Sequence, residues 1–439
     1  MFKNNRILFF VDHKFRDFKS LSLIAFYLNQ KKINAKLTAL WDFNYIEEFD
    51  PKIVVFNKPH LFNQEKIKCN LENRFTACIT TEGQAVKRIA RVPYPCDINF
   101  FWNNSQKNLY KDINNKLKTT LGCPRTDFID IDFKKKKNLY KFKKSKNITI
   151  ALPDLSSKFK GDNLNKFVKY VDQTHYQSIS FGNYLNIHRK LNDEFKKNII
   201  LTAKKFKNIN FLLKPHPNED HIYWKLFIKN NKLKNLHLVY GLNIDEFLSI
   251  SNLHISIEGC NTTYEAMQRN VPTAEIFIKD KTKYKEYHKA HLELCSNKIK
   301  NLKDFDKFII NYIIKNKKIK IDKKNLKNYI KLHYHIVDNQ RCKAYATYLY
   351  NYLIKCNNKN YISRWIFIIK NIIKNNKSRI YLFFLLKLCI KKIIGYRSSF
   401  KKQKKNSKKY DERGRFSSRV SRNEEKTLFK KFIDKGFKI

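Results

Sequence analysis

The chain has 439 residues, 42% hydrophobic and 14% aromatic, which supplies packed cores for two or three domains and excludes an intrinsically disordered chain. Its 91 Lys and Arg against 38 Asp and Glu give a net charge of +53, a balance that ordinarily points to nucleic acid or an anionic membrane. The lysines run through every segment beside asparagine and isoleucine, so most of this charge reads as compositional drift at exposed positions, with one concentration near the C-terminus.

Ile7 to Val11 is far too short for the apolar core of a signal peptide. Arg6 to Asp12 reads instead as a strand, and Phe18 to Gln30, with Leu21, Ile24, Ala25 and Leu28 at three-and-four spacing, as an amphipathic helix. Pro51 to Phe56 and Phe75 to Thr80 are further strands. Strands apolar on both faces that alternate with helices are the pattern of a parallel sheet covered by helices. The lysine-rich stretch from Phe133 to Lys146 breaks the pattern and reads as a linker, so residues 1–145 form a first half.

The pattern restarts with a strand from Asn147 to Leu152. A helix from about His188 to Phe206 precedes a strand from Asn210 to Lys214, and Leu236 to Tyr240, Leu253 to Ile257 and Thr273 to Ile278 continue the series, so residues 146–330 form a second half. The predicted fold is α/β, two Rossmann-like halves facing across a cleft, with ligands at the carboxyl ends of the strands. Residues 331–396 read as a helical extension, in which Asp338 to Lys355 is one amphipathic helix able to close the fold. Within it, 362–396 mixes aromatic and aliphatic runs with lysines, the composition of an anchor on an anionic leaflet or of a buried closing helix. Residues 397–439 read as a basic, disordered tail. No window approaches the roughly eighteen uncharged apolar residues of a membrane span. Nine scattered cysteines without a Cys-x-x-Cys pair point to reduced thiols and away from a zinc site or a disulfide framework.

Four turns carry candidate chemistry. Phe211 to Pro217 is a strand running into Lys214-Pro215-His216-Pro217, where the prolines forbid a helix and present His216 on a rigid loop. Lys214 and His216 there can neutralise a phosphate leaving group; the plainer reading of a lone histidine is structural. After the 253–257 strand, Glu258 and Gly259 lead through Asn261, Thr262 and Thr263 into a helix, and a helix N-terminus with close backbone approach favours phosphate. Glu265, one turn on, suits a ribose hydroxyl or a simple surface charge near the dipole's positive end. The Thr80-Thr81-Glu82-Gly83 turn places Glu82 at a strand end, as a base for a hydroxyl or as an ordinary capping acid, with Gly83 next to it. Gly122-Cys123-Pro124-Arg125-Thr126-Asp127 is a compact turn in which Arg125 and Asp127 either meet a phosphate or an acceptor's acid group or bind each other.

Taken together, Glu82-Gly83, the 122–127 turn, Lys214-Pro215-His216-Pro217 and the 258–265 turn and helix resemble those of GT-B type transferases of bacterial surface-carbohydrate biosynthesis, a group similar to capsule polysaccharide transferases, polysialyltransferases and CDP-glycerol glycerophosphotransferases. The resemblance covers about residues 5–290 and leaves the chain beyond 330 outside it. It implies a GT-B fold, an acceptor-binding N-terminal half, and a nucleotide-activated donor on the C-terminal half, with no obligatory metal and no cofactor. Glu82-Gly83 matches the polysialyltransferases' catalytic acidic motif and His216-Pro217 their nucleotide-phosphate motif, although Thr81 stands where those enzymes carry a first acid. Their phosphate-binding serine pair corresponds to Thr262 and Thr263. The expected partners are a nucleotide-sugar donor, a lipid-linked or polysaccharide acceptor and an anionic membrane surface, with no specific nucleic acid, and the expected place is the cytoplasmic side of the inner membrane. A glycerophosphotransferase or an NDP-sugar epimerase would share the fold, and a nucleic-acid-binding protein would account for the charge while leaving the Lys-Pro-His-Pro turn without a role.

Overall fold

The computed structural model describes residues 5–13, 16–39, 42, 44–57, 71, 74–80, 96–109, 117–128, 142, 145–151, 181–215, 221–239, 243–257, 261–276, 298–318, 323–358 and 422–434. Six strands, β1 (Arg6–Val11), β2 (Asn34–Ala39), β3 (Ile53–Phe56), β4 (Phe75–Ile79), β5 (Ile98–Phe101) and β6 (Leu117–Thr120), form a parallel sheet in the order β2-β1-β3-β4-β5-β6. A second parallel sheet, in the order β12-β11-β10-β7-β8-β9, takes β7 (Lys146–Ala151), β8 (Ile209–Leu213), β9 (Leu236–Leu238), β10 (Leu253–Ile257), β11 (Thr273–Ile276) and β12 (Lys298–Ile299). The described helices are α1 (Phe18–Gln30), α2 (Asn44–Phe49), α3 (Asn104–Leu109), α4 (Phe181–Lys205), α5 (His221–Asn230), α6 (Ile244–Leu248), α7 (Asn261–Gln268), α8 (Leu302–Ile309), α9 (Lys323–His333), α10 (Arg341–Asn358) and α11 (Arg422–Asp434). The fold is therefore α/β, with two Rossmann-like sheets in one chain.

Apolar side chains on both faces of a strand require cover on both faces. In β1, Ile7, Phe9 and Val11 join the core under α1, while Leu8 and Phe10 pack with Tyr45, Ile46 and Phe49 of α2 on the other side. The second sheet repeats the arrangement. Ile148, Ile150, Phe211 and Leu213 meet Phe195 and Ile199 of α4, Trp224 of α5 and Phe305 and Phe308 of α8, and Leu212 turns to Phe142 and Phe247 on the opposite face. Each strand order reverses once, between β1 and β3 and between β7 and β10. Such a reversal opens a crevice at the carboxyl ends of the flanking strands, the usual ligand position in open parallel sheets.

The predicted strands of both halves are present, and β2, β5, β6 and β12 add to them. Edge strands face water on one side, so β2 (Asn-Ala-Lys-Leu-Thr-Ala) and β6 (Leu-Lys-Thr-Thr) carry polar residues that hide their pattern.

The helix expected over Asp338 to Lys355 is present as α10 and closes the first half: Cys342, Tyr345, Ala346, Leu349 and Leu353 belong to its core, and Tyr345 and Tyr348 set their rings 5.1 and 5.2 Å from that of Phe100 on β5. The basic tail expected to be disordered holds α11, whose Phe429 and Phe432 pack at 5.5 and 5.8 Å against Phe26 of α1. Leu428, Phe429 and Phe432 share one helical stripe, and α1 offers them an apolar surface. The aromatic and basic stretch 362–396 lies outside the described residues. Among the described residues, no helix is long and apolar enough to cross a membrane.

Candidate functional site

Lys214 follows β8 directly, and its N–H donates to Ile150 O at 2.9 Å, so the chain leaves the sheet beside β7 with Lys214 half-buried. Across the strand-order reversal, β10 leads to α7. Thr262, in the first turn of α7, sets Oγ1 2.9 Å from Nε2 of His254 on β10. Burial first, and then the charge of Lys214, hold His254 down to about 3, so its ring is neutral at physiological pH. Thr263 turns inward: its Oγ1 lies 2.6 Å from Ser256 Oγ and donates to Glu275 Oε1 at 2.9 Å. With Thr262 half-buried and Thr263 fully buried, Thr262 is the member of the pair that keeps surface for a ligand.

The 122–127 turn of the first half proves to be the socket of α10. Asp127 Oδ1 accepts the N–H of Arg341 at 2.9 Å and Oδ2 that of Cys342 at 2.6 Å, so the carboxylate expected to meet an acceptor caps a helix with both oxygens. Burial pushes Asp127 up to about 6 despite those bonds. Gly122 has φ +85°, and a Cβ there would stand 2.7 Å from Arg341 Cδ and 3.2 Å from the carbonyl oxygens of Ile336 and Tyr334. Tyr345 Oη donates to Gly122 O at 2.8 Å, and Arg341 Nη1 to Leu121 O at 3.0 Å.

Arg125 and Glu265, singled out in different halves, come together. The Arg125 guanidinium lies 4.9 Å over the Trp102 ring, and its Nη1 stands 3.9 Å from Glu265 Oε1. Burial raises the Glu265 carboxyl above its usual range, although Arg125, Lys214 and Arg269 pull the other way. The halves are tied around this point. Lys19 Nζ meets Asp245 Oδ2 at 2.7 Å, Arg269 Nη2 donates to Phe128 O at 2.9 Å, and Asn103 Nδ2 donates to His333 O at 2.7 Å. Tyr264 of α7 stacks on Tyr334 with ring centroids 4.1 Å apart.

One polar cluster escaped the sequence reading. At the reversal of the first sheet, Arg16 grips Asp17 through Nε and Nη2 at 2.8 and 2.9 Å and reaches Asp12 at 3.0 Å, and Asn57 Nδ2 donates to Asp17 Oδ2 at 3.0 Å. Asp12 follows β1 and Asn57 follows β3, but only the strand order makes those two ends neighbours. Glu82, Gly83, His216, Pro217, Glu258 and Gly259 lie outside the described residues. Thr80, which precedes the Glu82 turn, accepts the Trp102 Nε1–H at 2.8 Å through its carbonyl, so β4 ends against the same tryptophan that carries Arg125. Among the described residues, no group of His, Cys, Asp and Glu is placed to hold a metal ion.

No protein-family profile matches the chain, and no curated protein matches it. Solved structures similar to it include the wall teichoic acid polymerase TagF with CDPG, 13% identical over 81% of this chain and 90% of that chain, with a TM-score of 0.49. MnaA of S. aureus with UDP is 11% identical over 79% of this chain and 96% of that one, with a TM-score of 0.47. UDP-GlcNAc 2-epimerase from Neisseria meningitidis bound to UDP-GlcNAc is 14% identical over 79% of this chain and 99% of that one, with a TM-score of 0.44.

Proposed function

We propose that the protein is a GT-B type transferase that moves a sugar from a nucleotide-activated donor, held by the C-terminal half, to a growing surface polysaccharide or lipid-linked acceptor presented by the N-terminal half. The observation that carries this reading is the reversal between β7 and β10, with Lys214 at the end of the neighbouring strand and Thr262 in the first turn of α7. A diphosphate there meets a cation, a helix N-terminus and a hydroxyl held by a neutral histidine. The nucleotide leaves as an anion, and these groups stabilise the charge that develops on it. On the same reading His216 adds a second contact to the phosphates, Glu265 binds the ribose, and Glu82 takes the proton of the attacking hydroxyl as the bond to the anomeric carbon forms. The net charge of +53 suits acidic, lipid-linked acceptors and peripheral work at the cytoplasmic face of an anionic membrane, without specific nucleic acid.

A thermal-shift titration of the full chain with CMP, CDP, UDP, GDP and CDP-glycerol tests the proposal. One nucleotide is expected to raise Tm saturably, and Lys214→Ala and His216→Ala are expected to weaken that response by tenfold or more. No shift with any nucleotide, together with a shift on DNA, overturns it. Incubation with the preferred donor then identifies the reaction. Transfer that requires an acceptor fits the proposal, phosphodiester formation marks a glycerophosphotransferase, and donor isomerisation without an acceptor marks an epimerase.

A further inference from the structure

Buried hydrogen-bond donors without acceptors are few in folded proteins, and among the described residues several of them belong to one aromatic cluster between the two halves. Arg125 Nε and Nη2, Tyr264 Oη and Tyr334 Oη are all buried with no hydrogen-bond partner. Tyr264 is 0% exposed and Tyr334 3%. Their rings stack on each other, Trp102 stacks on Tyr334 at 5.9 Å, and Trp102 carries the guanidinium of Arg125, so Trp102, Cys123, Tyr264 and Tyr334 make one cluster. Nε and Nη2 form the side edge of a guanidinium, which matches two oxygens of a carboxylate or phosphate at once. The Cys123 thiol lies against the Arg125 side chain but offers it only a weak sulfur acceptor, which leaves room for a stronger oxygen acceptor, and Glu265 stands 3.9 Å from Nη1, beyond hydrogen-bond reach.

We infer that this cluster is an oxyanion subsite, in which the Nε–Nη2 edge of Arg125 and the hydroxyls of Tyr264 and Tyr334 hold a carboxylate or phosphate group of the acceptor. Calling the ligand an acceptor rests on the transferase reading; the subsite itself does not. The set fits an anion because it offers one fixed cation and phenolic donors, with both phenols kept protonated by burial. An ionised Glu265 would oppose the anion, and burial favours its neutral form. The Arg125 and Glu265 side chains keep 21% and 18% of their surface exposed at the edge of the cluster. Glu265 lies one turn of α7 beyond Thr262, so an acid group bound here sits close to the donor phosphates.

Isothermal titration of the full chain with inorganic phosphate, glycerol phosphate and glucuronate, with glucose as the neutral control, tests the subsite and separates phosphate from carboxylate ligands. At least one anion is expected to bind and glucose not to. Arg125→Gln and Tyr334→Phe are each expected to weaken that binding by roughly tenfold or more. Tyr334→Phe keeps the ring and its stacking, so it serves even where Arg125→Gln fails to fold. Lys214→Ala separates the subsite from the nucleotide phosphate site, and anion binding is expected to persist in it. Anion binding absent from the wild type, unchanged in Tyr334→Phe, or lost with Lys214 alone overturns the inference. The nucleotide titration reads independently: nucleotides that bind without anions leave the transferase reading and remove the subsite, and the reverse result does the opposite.

Discussion

Asp127 accepts the first two N–H groups of α10, and Asp127→Ala leaves both without a partner in a buried turn. Loss of the cap is expected to cost about 1–3 kcal/mol, read as a lower urea midpoint at unchanged m-value. A midpoint that does not move would show that water satisfies the helix end. The sequence marks 122–127 as a special turn, since Gly, Pro and Asp suit neither strand nor helix. Its partner is invisible there, because Arg341 lies 214 residues further along the chain. Arg125 and Glu265 repeat the lesson. Arg125 reads in the sequence as an anion-binding or Asp-paired cation and Glu265 as a ribose contact or a helix-surface charge, and neither carries any mark of the other.

Among the elements, α11 shows how far composition misleads. Lysines and serines around it describe a solvated tail, yet Phe429 and Phe432 recur at helical spacing and find Phe26 on α1. Phe432 is 4% exposed and also meets the Phe128 ring at 6.2 Å, so it joins α1 to the end of the 122–128 turn. Phe432→Ala is expected to cost about 3–5 kcal/mol of the contacts that hold α11, with loss of amide-exchange protection across 422–434. Retained protection would mean that α11 stays docked without this ring. Most central strands were legible because burial on both faces leaves an unbroken apolar run, as was the edge strand β9. The four-residue central strand β5, the edges β2, β6 and β12, and α11 were not, because they are short or answer in part to water.

At the scale of the molecule, buried titratable groups make stability depend on pH. His254 and His333, held down by burial to about 3 and 4, bind fewer protons folded than unfolded, so the stability they contribute is lost as pH falls below their ordinary value near 6.5. Asp127, raised to about 6, binds its proton more tightly when folded and acts in the opposite sense between its ordinary range near 4 and pH 6. Around pH 5 the two histidines lower stability on acidification while Asp127 and the raised Glu265 oppose them, so Asp127→Asn is expected to steepen the loss by up to about 1.4 kcal/mol per pH unit. Denaturant unfolding from pH 4 to 7 measures both slopes, and parallel curves for wild type and variant would contradict the assignment. The sequence by itself determined the two runs of α/β alternation, the end of β8 that bears Lys214 and the start of α7 that bears Thr262, because burial periodicity and proline or glycine turns are local properties. The tertiary structure alone decided that α10 returns to the first sheet, that Asp127 caps it, that Arg125 faces Glu265 across the seam and that unmet donors gather beside Trp102. Those contacts join residues far apart in the chain, and their free energy comes from shared burial that no local pattern encodes.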